Sequence, residues 1–266
     1  MARSVDLNAD LGESFGPWKM GDDATLLDIV SSANIACGFH AGDPAIMART
    51  VRLCRDKGVA IGAHPGFDDK VGFGRREIAG TAPALLEAMI LYQIGALREI
   101  AAAEGAALGH VKLHGALANM AARDAALARL VALALARLPE PPVLLAIAGT
   151  HLEREGRAAG LVVAAEVFAD RGYGDDGHLL PRAEEGALLT DPREAAARMV
   201  RMVEEGVIVC RSGRCLPVTI DSICVHGDGP AALAIAAAVR EALEKAGIAI
   251  RPFAPAHRRG KSAPRP

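Results

Sequence analysis

Polar and apolar residues alternate strictly over residues 5–11, Val-Asp-Leu-Asn-Ala-Asp-Leu. Alternation of this kind is the period of a β-strand, so Asp6, Asn8 and Asp10 share one face. Further strands are predicted as short apolar runs, centred on Asn34-Ile35-Ala36 and then over 59–63, 108–113, 142–148, 162–167 and 221–225. Helical spacing fills the intervals: 22–32, 44–57, 82–104, 124–138, a helix starting near Thr150, one opened by Asp191-Pro192-Arg193-Glu194, and 230–246. A hairpin is expected over 207–219 and a last short strand over 248–252.

Seven or eight alternating β–α units imply a parallel sheet with helices outside it, either closed as a (β/α) barrel or open and doubly wound. The positions of the polar residues favour closure. His40, His64, Lys112 with His114, Asp170 with Arg171, and His226 with Asp228 each fall where a predicted strand ends. A barrel gathers all carboxyl ends into one rim, whereas an open sheet concentrates its ligands at a switch point. No linker divides residues 1–255, which are read as a single domain; the basic segment 256–266 reads as a disordered tail.

Glycines at 38 and 42 flank Phe39-His40-Ala41, a turn able to aim the histidine above the strand. Asp43 before Pro44 reads as a helix N-cap rather than a catalytic acid. Lys112 shares a face with His114, so it points into the barrel mouth, where it needs an anion: a ligand phosphate or carboxylate, or Asp6 or Asp10. Glu13 follows the first strand in a loop, and Arg75, Arg76, Arg171 and Arg182 lie in loops on the same side. Asp and His residues together could hold a divalent metal, although no HxxH or HExxH spacing occurs. No P-loop and no G-x-G-x-x-G opening a helix is present.

Composition narrows the functional classes. A net charge of −2 and 3% aromatic residues argue against a nucleic-acid surface. The most apolar segments are interrupted by arginines, so no membrane span is expected. Five cysteines without CxxC spacing, and no apolar leader, point to a cytoplasmic protein with reduced thiols.

Several motifs occur together and in order: Asp6-Leu7-Asn8-Ala9-Asp10-Leu11-Gly12-Glu13, the 34–44 stretch, Gly62-Ala63-His64-Pro65-Gly66, Gly72-Phe73-Gly74-Arg75-Arg76, His114-Gly115-Ala116-Leu117, Phe168-Ala169-Asp170-Arg171 and Val225-His226-Gly227-Asp228. Over residues 6–253 the chain resembles the LamB/YcsF family. Leu113 and Ala118 stand where that family's motif usually carries proline and tyrosine. The resemblance implies an incomplete seven-stranded barrel of the glycoside hydrolase/deacetylase type. It also implies ATP-dependent hydrolysis of 5-oxo-L-proline to L-glutamate, ADP and phosphate, the activity of a 5-oxoprolinase with separate B and C subunits.

On this reading Asp10, Glu13, His40, His64, Lys112 and His114 are catalytic residues. Asp6, Asn8, Arg75, Arg76, Asp170, Arg171, Arg182 and His226 bind substrate. ATP is a co-substrate, bound either by this chain or by the partner subunits, and a divalent metal and a homo-oligomer remain open. Two alternatives stand beside it: a metal-dependent amide or acetyl hydrolase of the polysaccharide deacetylase type, and a non-catalytic lactam-binding subunit.

Overall fold

The computed structural model describes residues 3–226 and 231–253. Asp228, read above as a strand-end acid, and the basic tail lie outside them.

Parallel strands β1 (Ser4–Leu11), β2 (Ser32–Ala36), β3 (Ala60–His64), β4 (Leu108–Lys112), β5 (Val143–Ile147), β6 (Val163–Phe168) and β9 (Ser222–Val225) pair in that order, and β9 returns to β1. The pairing of Asp6 with Ser222 through Ala9 with Val225 closes the sheet into a seven-stranded barrel. The start of β1 pairs instead with β10 (Ala249–Ile250), through Ser4 with Ala249 and Val5 with Ile250. A separate antiparallel hairpin joins β7 (Val207–Val209) to β8 (Cys215–Pro217).

The helices are α1 (Asp23–Leu26), α2 (Pro44–Lys57), α3 (Pro83–Ala103), α4 (Gly115–Arg123), α5 (Ala125–Ala136), α6 (His151–Ala158), α7 (Pro192–Glu205) and α8 (Ala232–Lys245). Asp43 caps α2, accepting from the backbone N–H of Ala45 and Ile46 at 2.9 Å, as its place before a proline suggests. Asp191 caps α7 in the same way. Two expectations are corrected. The helix predicted over 22–32 stops at Leu26, because Ser31, just ahead of β2, is tied to β1: its hydroxyl bonds Asp6 and the Leu7 backbone. The segment after His114, to which the spacing assigns no helix, is α4, started by Gly115 at φ +53°.

Strand β1 inverts the usual arrangement. Its apolar residues Leu7, Ala9 and Leu11 face outward under the helices, while Asp6, Asn8 and Asp10 point into the barrel. There they meet polar residues of the neighbouring strands. Asn8 Nδ2 donates to Glu166 Oε1 (2.8 Å) and Ser222 Oγ (2.7 Å), and Asn34 Nδ2 donates to Asn8 Oδ1 (2.7 Å). Buried polar groups on this scale are tolerated only when partnered. Space is equally constrained. A Cβ at residue 62 would lie 2.1 Å from His110 Nε2, so glycine there lets the His110 imidazole cross the barrel to Asn34. At the other end of the barrel Val143, Leu145 and Ala164 form a small apolar layer covered by Phe253.

Candidate active site

At the carboxyl end of the barrel a cavity of about 360 Å³ is lined by Asp10, Glu13, His64, Lys112, His114 and His226 on its floor. Arg75, Arg171 and Arg182 line it as well. Residues separated by more than two hundred positions in the chain therefore converge on one space.

Lys112 occupies the centre of the floor. Its Nζ lies 3.0 Å from Asp10 Oδ1, 3.0 Å from Glu166 Oε1, 3.0 Å from Cys224 Sγ and 3.3 Å from Asn8 Oδ1. An ammonium has three N–H donors, so its hydrogen-bonding capacity is taken up by the protein. Burial opposes its charge, but Asp10, Cys224 and Glu166 outweigh that and hold its pKa well above the ordinary lysine value. The anion that this lysine needs is thus Asp10 together with Glu166, and not a bound ligand. For Asp10, burial is outweighed by His64 and Lys112, and its carboxyl stays well below the usual carboxylate range. Burial raises Glu166 despite Lys112.

Three histidines stand beside this pair. His64 Nδ1 donates to the Lys112 carbonyl at 2.8 Å, leaving Nε2 facing Asp10 Oδ2 at 3.3 Å and His114 Nδ1 at 2.9 Å. His114 Nε2 donates to the Phe73 carbonyl at 2.8 Å. His40 stacks flat on His114 with ring centroids 3.7 Å apart. Burial, reinforced by the neighbouring histidines, pushes both His40 and His114 well below the ordinary histidine value. Glu13 Oε1 comes within 3.5 Å of His40 Nε2 and 3.7 Å of His114 Nδ1. Gly74, at φ +61°, allows this crowding, since a Cβ there would meet both His40 and His114 at 2.8 Å. Gln93, buried on α3, clamps the loop after His64 by bonding both the N–H and the carbonyl of Gly66.

Not every residue singled out in the sequence reaches the cavity. His40 lies behind His114 and lines a smaller adjoining pocket with Phe15 and Trp18. Asp6 is below the floor, accepting from the hydroxyls of Ser31, Ser32 and Ser222; burial raises its pKa to about 6. Asn8, completely buried, joins the same network. Both are corrected from substrate contacts to supports of the floor. Arg76 is also corrected: it turns away to pair with Asp69. Asp170 meets the cavity only by way of His226, whose Nδ1 donates to its carboxylate at 2.8 Å. Arg171, 5% exposed, bonds the carbonyls of Leu180 and Ala187 and so also secures the loop that bears Arg182. Ala118 lines the cavity, so the missing phenol leaves that wall without a hydroxyl.

Glu166 and Cys224 escaped the sequence reading. Glu166 did leave a signal: a lone carboxylate in the apolar run Leu161-Val162-Val163-Ala164-Ala165-Glu166-Val167 is costly to bury without a cation.

The model of the LamB/YcsF family matches residues 5–258. The chain belongs to the LamB/YcsF family. Among curated family members, the 5-oxoprolinase A subunit of Gluconobacter oxydans is 52% identical over 250 residues, 94% of this chain and 98% of that protein. The protein of the same name from Methylococcus capsulatus is 53% identical over 250 residues, 94% of this chain and 96% of that one. The crystal structure of the Lactam Utilization Protein from Thermus thermophilus superposes with a TM-score of 0.88 at 49% identity, covering 94% of this chain and all of that one. A putative cellobiose-phosphate cleavage protein from Enterococcus faecalis shares only the fold, with a TM-score of 0.54 at 15% identity and coverages of 94% and 97%. No helix among the described residues is long and apolar enough to cross a membrane. All five cysteines are free thiols.

Proposed function

We propose that this chain is the A subunit of an ATP-dependent 5-oxoprolinase and opens the ring of 5-oxo-L-proline to give L-glutamate, working with separate B and C subunits. The carrying observation is the convergence of Asp10, Glu13, His64, Lys112 and His114 on the floor of a cavity that Arg75, Arg171 and Arg182 also line. The names of the family members that match nearly the whole chain point the same way.

A five-membered lactam resists hydrolysis because amide resonance makes its carbonyl a poor electrophile. Transfer of the γ-phosphoryl group of ATP to the carbonyl oxygen, a step completed with the partner subunits, removes that resonance. Water then adds to the ring carbon while Asp10, acting with His64, takes its proton. Expulsion of the ring nitrogen, which takes up the proton gathered on Asp10, breaks the C–N bond and leaves an acyl phosphate. A second water hydrolyses that group, giving the side-chain carboxylate of glutamate and free phosphate. Arg75, Arg171 and Arg182 hold the substrate carboxylate and phosphate and offset the charge that develops. Lys112 acts one step removed: it keeps Asp10 ionised and fixed in place.

The test is a coupled assay of glutamate formation and phosphate release from 5-oxo-L-proline and ATP, using this chain reconstituted with B and C subunits. Turnover with both products in equal amounts is expected, and Asp10→Asn is expected to abolish it with the fold intact. Full turnover in that variant, or glutamate formed without ATP, would overturn the reading.

A further inference from the structure

The facing ring nitrogens of His64 and His114 pose a problem that the lactam chemistry does not solve. Each ring spends its other nitrogen on a backbone carbonyl, Lys112 O for His64 and Phe73 O for His114. A carbonyl only accepts, so those nitrogens carry the ring protons. In the neutral rings, Nε2 of His64 and Nδ1 of His114 are then lone pairs, pointed at one another across 2.9 Å. Two acceptors at that distance repel unless a cation lies between them.

A proton would bridge only two atoms, and more than two donors converge here. Glu13 Oε1 approaches both His40 Nε2 and His114 Nδ1. Both ring nitrogens of His40 are buried without a hydrogen-bond partner, a costly condition for an imidazole. One donor atom from each of Glu13, His40, His64 and His114 lies within 4.8 Å of all the others. Around a tetrahedral ion with ligands at about 2.0–2.1 Å, donors sit about 3.3 Å apart. Such a shell forms when the 2.9 Å pair of His64 and His114 parts slightly, Glu13 draws in, and His40, whose ring nitrogens make no hydrogen bond, turns out of its flat stack on His114. The carbonyl bonds of His64 and His114 are the contacts that orient metal-binding imidazoles and fix their tautomers.

A second grouping, Asp10, Cys224 and His226, is geometrically compact as well. Two of its members already share the ammonium of Lys112, so the positive charge there comes from within the chain.

We propose that Glu13, His40, His64 and His114 bind one divalent transition-metal ion, with zinc favoured by a donor set of three imidazoles and one carboxylate. This stands on donor geometry and does not depend on the identity of the substrate.

The test is substrate-free. The full chain, stripped by chelator and dialysed, is titrated with Co(II) and followed by visible absorption, and zinc retained after competition is counted by mass spectrometry. One equivalent with the intense bands of a four-coordinate site is expected. Glu13→Gln and His114→Gln should weaken binding by about tenfold or more, while Cys224→Ser should bind as the parent does. His40→Asn, whose parent ring makes no backbone tie, serves if His114→Gln fails to fold. Binding well below one equivalent would show a proton held between the rings and overturn the assignment. So would loss of binding in Cys224→Ser with retention in the histidine variants. Glutamate formation is read in the separate coupled assay, so the two proposals can fail independently.

Discussion

Lys112 and Glu166 form an ion pair of 3.0 Å inside the barrel, both almost wholly out of solvent. The acid comes from β6 and the lysine from β4, with apolar β5 between them. Removing one member of such a pair leaves an uncompensated buried charge, a loss of about 3–5 kcal/mol. Lys112→Met is therefore expected to lower stability by this order, because Asp10 and Glu166 would face each other without a cation. The double variant Lys112→Met/Glu166→Gln should regain part of that stability yet stay inactive, since Asp10 is no longer held. Urea denaturation beside the coupled assay separates the two effects.

Gly62 and His110 occupy mutually exclusive space. Gly62→Ala should destabilise the fold by about 1–3 kcal/mol or more through overpacking. His110→Ala should lose stability by a different route, leaving Asn34 without its partner and a void in the barrel. In the double variant the two losses should sum to less than their independent total, and a double-mutant cycle of denaturation midpoints measures that coupling. Simple additivity would show that the ring is not held across residue 62.

Asp6 sets a pH dependence of stability. Burial raises its folded-state pKa from 3.8 to about 6, so between these values the native state binds more protons than the unfolded chain. Stability attributable to this group is full below pH 4 and declines as pH rises through about 6, by an amount on the order of 3 kcal/mol. Asp6→Asn should flatten that part of the profile, read as the denaturation midpoint between pH 4 and 7. An unchanged slope would assign the titration elsewhere.

Arg182 is expected to act on substrate affinity. Losing one charge-assisted hydrogen bond to a carboxylate costs about 1.5–3 kcal/mol. Arg182→Ala should accordingly raise KM for 5-oxo-L-proline by about tenfold or more with the fold unchanged. Arg171→Ala should also lower thermal stability, because its bonds to Leu180 and Ala187 anchor the loop that carries Arg182. Arg76→Ala should leave KM near the parent value, given its turn toward Asp69.

Local pattern was a good guide wherever the physics is local. The alternation of β1, the cap at Asp43 and the histidines at strand ends follow from period, turn chemistry and connection type, so the barrel and most of its floor were readable. Partnership across the barrel was not. That Asn8 meets Glu166, or that Lys112 meets Cys224, depends on which strands become neighbours, over separations of 158 and 112 residues. A lysine seeking an anion looks the same in sequence whether the anion is a ligand or Glu166. The early stop of α1 has the same origin, because Ser31 is recruited by the distant Asp6.

Strand β1 is shared along its length, with β10 beside its first residues and β9 beside its later ones. The two extremities of the described chain thus run side by side at the barrel's seam. A short linker from the residues after β10 to those before β1 would bridge neighbouring strands. The tight turn between β7 and β8, outside the barrel wall, then offers a place to cut, so a circularly permuted chain should keep the same interior network under a new order of synthesis.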